Sequence, residues 1–179
     1  MKFNKTDIEG CYLITYDTFV DHRGYFGVPY NKEIFNHNVG YDVDFVQDNM
    51  SYSHLGTIRG LHFQTGKYEQ AKLVTCISGR VLDVIVDIRK DSPSYGKVVE
   101  VELGQTINKQ VFVPRGCAHG FSALSNNTIF QYKVDNPYNK ESEGGIIYND
   151  PTLNIDWRVS EYFERISEKD LVLPTFLSL

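Results

Sequence analysis

About ten short β-rich runs, separated by clusters of Gly, Asn, Asp and Pro, constrain this chain more than any other feature. They span Cys11–Tyr16, Tyr25–Tyr30, Phe45–Asp48, Thr57–Phe63, Ala71–Ile77, Arg80–Ile88, Lys97–Leu103, Gln110–Val113, Gly120–Ala123 and Thr128–Val134. So many short strands in 179 residues have to hide their edges. The economical solution is an all-β, double-sheet jelly roll or barrel closing around a pocket, as a single domain over residues 1–179. Ser78-Gly79 reads as a hairpin turn joining the two best strands, and Lys90–Ser94 as a plain turn. Helix is expected only at the periphery, over Asn31–His37, and as a turn or two within Tyr162–Asp170. Twelve Tyr and eleven Phe suit strands.

A net charge of −5 without a basic run argues against a nucleic-acid surface. Any anionic ligand must be met by a few aimed Arg and Lys. Cys11, Cys76 and Cys117 are odd in number and lack CxxC spacing, which suits a reducing cytoplasm rather than a disulfide framework. No signal peptide and no apolar run of membrane-spanning length is visible, so no membrane partner is expected.

Strand parity then locates chemistry. In Arg80–Ile88 one face carries Leu82, Val84, Val86 and Ile88, and the other Asp83, Ile85 and Asp87. Lys72 shares a face with Val74 and Cys76 inside an apolar run, a costly place for an ammonium without an anionic partner. Arg59 and His62 have opposite parity, so both reach one pocket only if the strand is irregular, and Gly60 is the residue to make it so. His62 alone reads as a satisfied core histidine. His62 beside Lys72 reads as a base and an oxyanion stabiliser for proton abstraction next to a carbonyl. Tyr132 can return a proton from the opposite side, or simply pack. Asp170 is either the end of a Ser167–Asp170 capping box or the carboxylate orienting His62, and Asp83 competes for that second role. Arg23 and Arg59 are natural diphosphate ligands, or else solvated surface groups. Tyr138, in a loop with Asn136 and Pro137, can stack on a base.

These residues lie in motifs that resemble the dTDP-4-dehydrorhamnose 3,5-epimerases, the RmlC-like branch of the cupin jelly rolls. The likeness runs from about Asp7 to Pro174 through Asp21-x-Arg23-Gly24-x-Phe26, Phe45-Val46-Gln47-Asp48-Asn49, Arg59-Gly60-Leu61-His62-Phe63-Gln64, Ala118-His119-Gly120-Phe121 and Ser167-Glu168-Lys169-Asp170. The resemblance implies that His62 is the base, paired with Asp170, that Tyr132 is the acid, and that Lys72 faces the sugar's 4-keto oxygen. It implies substrate contacts from Arg23, Gln47, Asp48, Asn49, Arg59, His119, Glu143 and Lys169, with Tyr138 stacked on the nucleobase. It implies no metal and no other cofactor, and a homodimer with N-terminal strand exchange, in which the Arg23 region of one subunit completes the other's site. The expected reaction is epimerisation at C3 and C5 of a nucleotide-linked 4-keto-6-deoxysugar in deoxysugar supply for surface polysaccharide.

One position departs from the family pattern. Val28 stands where the family usually carries a glutamate that helps hold the nucleotide, which leaves a GDP- or other NDP-linked sugar, even a heptose, as an alternative. Three further readings compete: an epimerase acting on C3 or C5 alone, a metal-dependent cupin isomerase or oxygenase using His62, Glu69 and His119, and a non-catalytic sugar-nucleotide binder. Gln64 in the place of a second metal-binding His weighs against the metal reading.

Overall fold

The computed structural model describes residues 1–179. The chain runs β1 (Lys2–Lys5), β2 (Tyr12–Thr15), β3 (Thr18–Asp21), β4 (Gly24–Gly27), α1 (Lys32–Val39), β5 (Gln47–Ser53), β6 (Ile58–Gln64), β7 (Lys72–Ser78), β8 (Arg80–Asp87), β9 (Val98–Gly104), β10 (Lys109–Val113), β11 (Cys117–Ala123), β12 (Thr128–Val134) and β13 (Glu143–Gly145). Two antiparallel sheets face each other, one ordered β1-β2-β10-β7-β12-β5 and the other β13-β6-β11-β8-β9, and β3 and β4 form a separate two-stranded ribbon. This is the expected all-β, cupin-type double sheet.

The strand parity works out as a division of labour between three apolar layers. Between the sheets lie Val74, Cys76, Val81, Ile85, Val111, Val113, Phe121 and Phe130. The outer face of the six-stranded sheet is covered by α1, whose Phe35 and Val39 pack on Ile14, Leu73 and Phe112. The outer face of the five-stranded sheet, carrying Leu82, Val84 and Val86, is covered by the segment after β13 through Ile146, Trp157 and Phe176. The more apolar face of β8 therefore points out of the barrel, under this C-terminal wrap, and Asp83 points in. Each of these fully buried aliphatic or aromatic side chains contributes about 1.5–3 kcal/mol.

Helix α1 starts where expected, with Asn31 as a cap whose side chain accepts from the Ile34 N–H, and ends on Gly40 in the left-handed region. The turn or two of helix expected within Tyr162–Asp170 is 3-10 and lies only at the ends of that segment. Single 3-10 turns sit at Glu161–Phe163 and Asp170–Val172, and the backbone between them is extended along the sheet edge, with Thr57 bridged in parallel to Arg165.

The hairpin expected at Ser78-Gly79 is absent. β7 pairs with β10 and β12, and β8 with β11 and β9, so the chain changes sheets at Gly79. The polar backbone of Gly79 bonds to Gln105 instead of closing a turn. Both strands are apolar on their inner faces, and packing β7 against β8 face to face buries Val74, Cys76, Val81 and Ile85 together, which edge-to-edge pairing would not.

The irregularity expected at Gly60 is present. Three steps along β6, from Arg59 to His62, are matched by two steps along β11, from Phe121 to His119. Gly60 has a φ of +123°, and the Gly60-Leu61 peptide is cis. A Cβ at Gly60 would lie 2.6 Å from the Cα of Gly120, so the close approach of the two strands requires glycine here. The bulge leaves Ile58 and Leu61 on the outer apolar layer and turns both Arg59 and His62 inward.

Candidate active site

The inward-facing polar residues meet in one cavity of about 560 Å³ between the two sheets. Arg59 and His62 enter from β6, His119 from β11, Lys72 from β7, Tyr132 from β12, and Lys169 and Asp170 from the C-terminal wrap. His62 and Tyr132 belong to opposite sheets, so they reach the same space from opposite walls.

His62 Nε2 lies 2.8 Å from Asp170 Oδ1. Burial works to raise the Asp170 pKa, but the His62 ring, the Gly60 N–H and Ser167 together hold it below the usual carboxylate value. Asp170 is therefore an anion and His62 Nε2 the donor, which leaves the lone pair on Nδ1. The bulge serves this pair twice, by turning His62 inward and by aiming the Gly60 N–H at Asp170 Oδ2 at 3.3 Å. Both readings of Asp170 hold in part, because its own backbone N–H also bonds to the Ser167 hydroxyl at 3.2 Å.

Asp83 serves a different histidine. Its Oδ1 lies 2.7 Å from His119 Nε2, while its Oδ2 is buried without a partner. Burial pushes the His119 pKa down despite Asp83, with Lys72 and His62 adding to the fall, so His119 is neutral at pH 7. Lys72 is buried with no ion-pair partner, and its Nζ donates to the His62 carbonyl at 3.3 Å. Desolvation lowers its pKa to about 8, opposed chiefly by the charge of Asp83. Burial raises the Tyr132 pKa, which keeps the phenol protonated. A neutral phenol, an imidazole with a free nitrogen and an unpaired ammonium around one cavity can remove, hold and return a proton beside a carbonyl.

The rim carries a second set. Tyr138 Oη donates to Glu143 Oε2 at 2.9 Å, and Lys169 Nζ pairs with Glu143 Oε1 at 2.6 Å. Gln64 holds the Tyr138 loop by donating to the carbonyls of Tyr68 and Pro137 and accepting from the Asn139 N–H. Gln47 and Asn49 sit on the inward face of β5, bonded to each other at 2.7 Å, with Asn49 directly opposite Tyr132 in the ladder.

Two residues expected at the site lie elsewhere in this chain. Asp48 has the opposite parity to Gln47 and Asn49 and pairs with Lys133 at 3.0 Å on the outer face. Arg23 sits in the β3–β4 ribbon, exposed, and pairs with Asp21. Val28, half exposed, follows the same ribbon and does not line the cavity. The set His62, Glu69 and His119 does not converge, and each imidazole faces its own carboxylate through Nε2. The sequence reading missed Arg165 and Ser51, both of which line the cavity. The inward parity of Ser51 with Gln47 and Asn49 was available in the sequence, whereas nothing local marked Arg165.

The family model described as dTDP-4-dehydrorhamnose 3,5-epimerase matches residues 5–178. An Escherichia coli protein of that name is 47% identical over 157 residues, covering 88% of this chain and 85% of the relative. The crystal structure of dTDP-4-dehydrorhamnose 3,5-epimerase from Elizabethkingia anophelis superimposes with a TM-score of 0.96 at 49% identity, covering 99% of this chain and 97% of that one. A Legionella pneumophila epimerase, in complex with dTDP-4-keto-L-rhamnose, gives a TM-score of 0.94 at 38% identity, over 98% and 93% of the two chains.

Proposed function

The chain belongs to the dTDP-4-dehydrorhamnose 3,5-epimerase family, and from that premise we propose that it inverts C3 and C5 of dTDP-4-dehydro-6-deoxyglucose by enolate chemistry. The observation that carries this reading is the opposed placement of the His62–Asp170 pair and Tyr132 across one cavity that also holds Lys72. The C4 ketone acidifies the protons on C3 and C5. His62 Nδ1 removes one of them, the electron pair moves onto the C4 oxygen, and the Lys72 ammonium stabilises that oxyanion. Tyr132 then delivers its phenolic proton to the other face of the carbon, which inverts it; His62 releases the proton it took to solvent and Tyr132 recovers one from solvent. The same pair serves the second carbon once the sugar ring shifts. The product supplies an activated deoxysugar for surface polysaccharide.

The β3–β4 ribbon supports a homodimer. Its Phe19, Val20, Tyr25 and Phe26 are each more than 60% exposed, too much apolar surface for a two-stranded ribbon to leave in water. β5 ends its sheet with an unpaired edge. A ribbon exchanged between subunits would cover that surface and carry Arg23 to the partner's site. Light scattering should give twice the chain mass, and a monomer would overturn the exchange.

The test of the reaction is proton NMR of dTDP-4-dehydro-6-deoxyglucose in deuterated water. Deuterium entering at both C3 and C5, with inverted product trapped by a reductase, is the expected result. Exchange at one carbon would establish a single-site epimerase instead. No exchange would overturn the dTDP assignment and direct the assay to GDP-linked sugars.

A further inference from the structure

Arg165 lines the cavity from the C-terminal wrap, and its guanidinium meets no carboxylate and no other acceptor in the chain. Its backbone is nonetheless fixed, since its N–H bonds to the Gly56 carbonyl at 2.9 Å and its carbonyl accepts from the Ile58 N–H at 3.0 Å. These bonds make Arg165 the parallel partner of Thr57, two residues before Arg59. Residues paired across a ladder share a face, as do residues two apart, so Arg165, Thr57 and Arg59 all look into the cavity. The wrap reaches this position because Gly56 has no side chain: a Cβ there would lie 1.9 Å from the Phe163 carbonyl oxygen.

Arg59 is itself anchored on β5, donating to the Tyr52 carbonyl at 3.4 Å and the Ser53 hydroxyl at 3.3 Å. Beside it on the same strand, the Ser51 hydroxyl lines the cavity buried and without a partner. One corner of the cavity thus holds two guanidinium groups on one face and an unused hydroxyl. Asp170 is the only carboxylate in the cavity wall, and it is engaged by His62 and Gly60. In a chain of net charge −5 this concentration of positive charge fits an anion.

Building on the nucleotide-sugar function proposed above, we infer that Arg165, with the Ser51 hydroxyl, is a specificity-determining contact for the substrate's diphosphate, additional to Arg59. Arg165 contributes affinity for the charged linker and takes no part in proton transfer. The proposal is tested by calorimetric titration of dTDP into the full-length protein and its Arg165→Gln and Arg165→Lys variants, at low and high salt. Arg165 is exposed and its backbone bonds do not depend on its side chain, so the variants keep the fold. Loss of one charge-assisted hydrogen bond should weaken dTDP binding by about ten- to a hundredfold in Arg165→Gln and flatten its salt dependence, with partial recovery in Arg165→Lys. In turnover, KM should rise by a larger factor than kcat falls. Wild-type affinity for dTDP in Arg165→Gln would overturn the role of Arg165 while leaving the epimerase standing. If the unaltered protein bound no dTDP, the dTDP assignment would fall first, and this inference with it.

Discussion

The molecule contains two His–Asp pairs of nearly equal length, 2.8 Å for His62–Asp170 and 2.7 Å for His119–Asp83, in opposite settings. The His62 side chain is 31% exposed and its carboxylate arrives on the wrap, 108 residues away in sequence. The His119 side chain is 5% exposed and its carboxylate, 0% exposed, comes from the adjacent strand. Asp170 is further satisfied by Gly60 and Ser167, while one oxygen of Asp83 has no partner at all. The same two side chains thus make a reagent where the ring is partly open to the cavity, and a tightly enclosed pair in the cavity wall where both groups are almost fully buried. Hydrogen-bond length does not distinguish the two; solvent access and the remaining partners do.

Matched substitutions should pull the two pairs apart. His62→Leu is expected to slow exchange at C3 and C5 by about 10²–10⁴-fold, the usual worth of a general base, with little change in Tm. His119→Leu should show the reverse weighting. It leaves Asp83 buried without a hydrogen-bond partner, at a cost of about 3–5 kcal/mol, or a drop in Tm on the order of 10 °C by calorimetry. If the two variants showed the same balance of lost turnover and lost stability, the distinction would collapse. Asp170→Asn should slow exchange less than His62→Leu, since the imidazole remains, and should lower Tm less than His119→Leu.

The smallest effect lies in the pH dependence of stability. The folded-state pKa of His119 is depressed, so the unfolded chain takes up its proton first as pH falls, and stability declines below about pH 6.5. That decline is at most about 1.4 kcal/mol per pH unit and should vanish in His119→Gln. Asp170, held below the usual carboxylate value, keeps its contribution through this range and loses it only as pH falls through its own lower pKa. Thermal melts of both proteins across pH 5 to 8 resolve the difference, and an unchanged slope in His119→Gln would sink it.

What the sequence could reveal follows the range of the signal. Alternation within one strand is local, so the two faces of β8, though not which of them looks inward, and the need for a bulge at Gly60 could be read directly. Pairing between distant segments is not, which is why Asp83 and Asp170 could not be told apart as partners of His62. The Ser78-Gly79 turn misled for the same reason: two apolar strands with a tight link look alike whether they pair edge to edge or stack face to face. β5 was placed too early, at Phe45–Asp48, because its ladder runs through Asn49, Ser51 and Ser53, whose polar side chains lack an apolar period. β1, β3 and β13 have no counterpart among the predicted runs: β1 is a four-residue edge strand with Lys and Asn at three of its positions, β3 pairs only with the exposed ribbon strand β4, and Glu143-Gly144-Gly145 has no strand-forming side chain and pairs solely through its backbone. Arg165 escaped notice because its position depends on Gly56, a contact 109 residues away that no window of sequence contains.

The wrap that brings Asp170 under His62 also sets when the protein becomes competent. Emerging from the ribosome, the chain presents His62, Lys72, His119 and Tyr132 long before Asp170 exists to orient the imidazole. The inner core between the sheets and the outer layer on β6, β11 and β8 are separate clusters, and the outer one includes Trp157 and Phe176. The same C-terminal segment supplies both that layer and the carboxylate of the dyad. Asp170 lies between Trp157 and Phe176 on that segment, so a chain that ends before it holds the imidazole without the carboxylate that orients it.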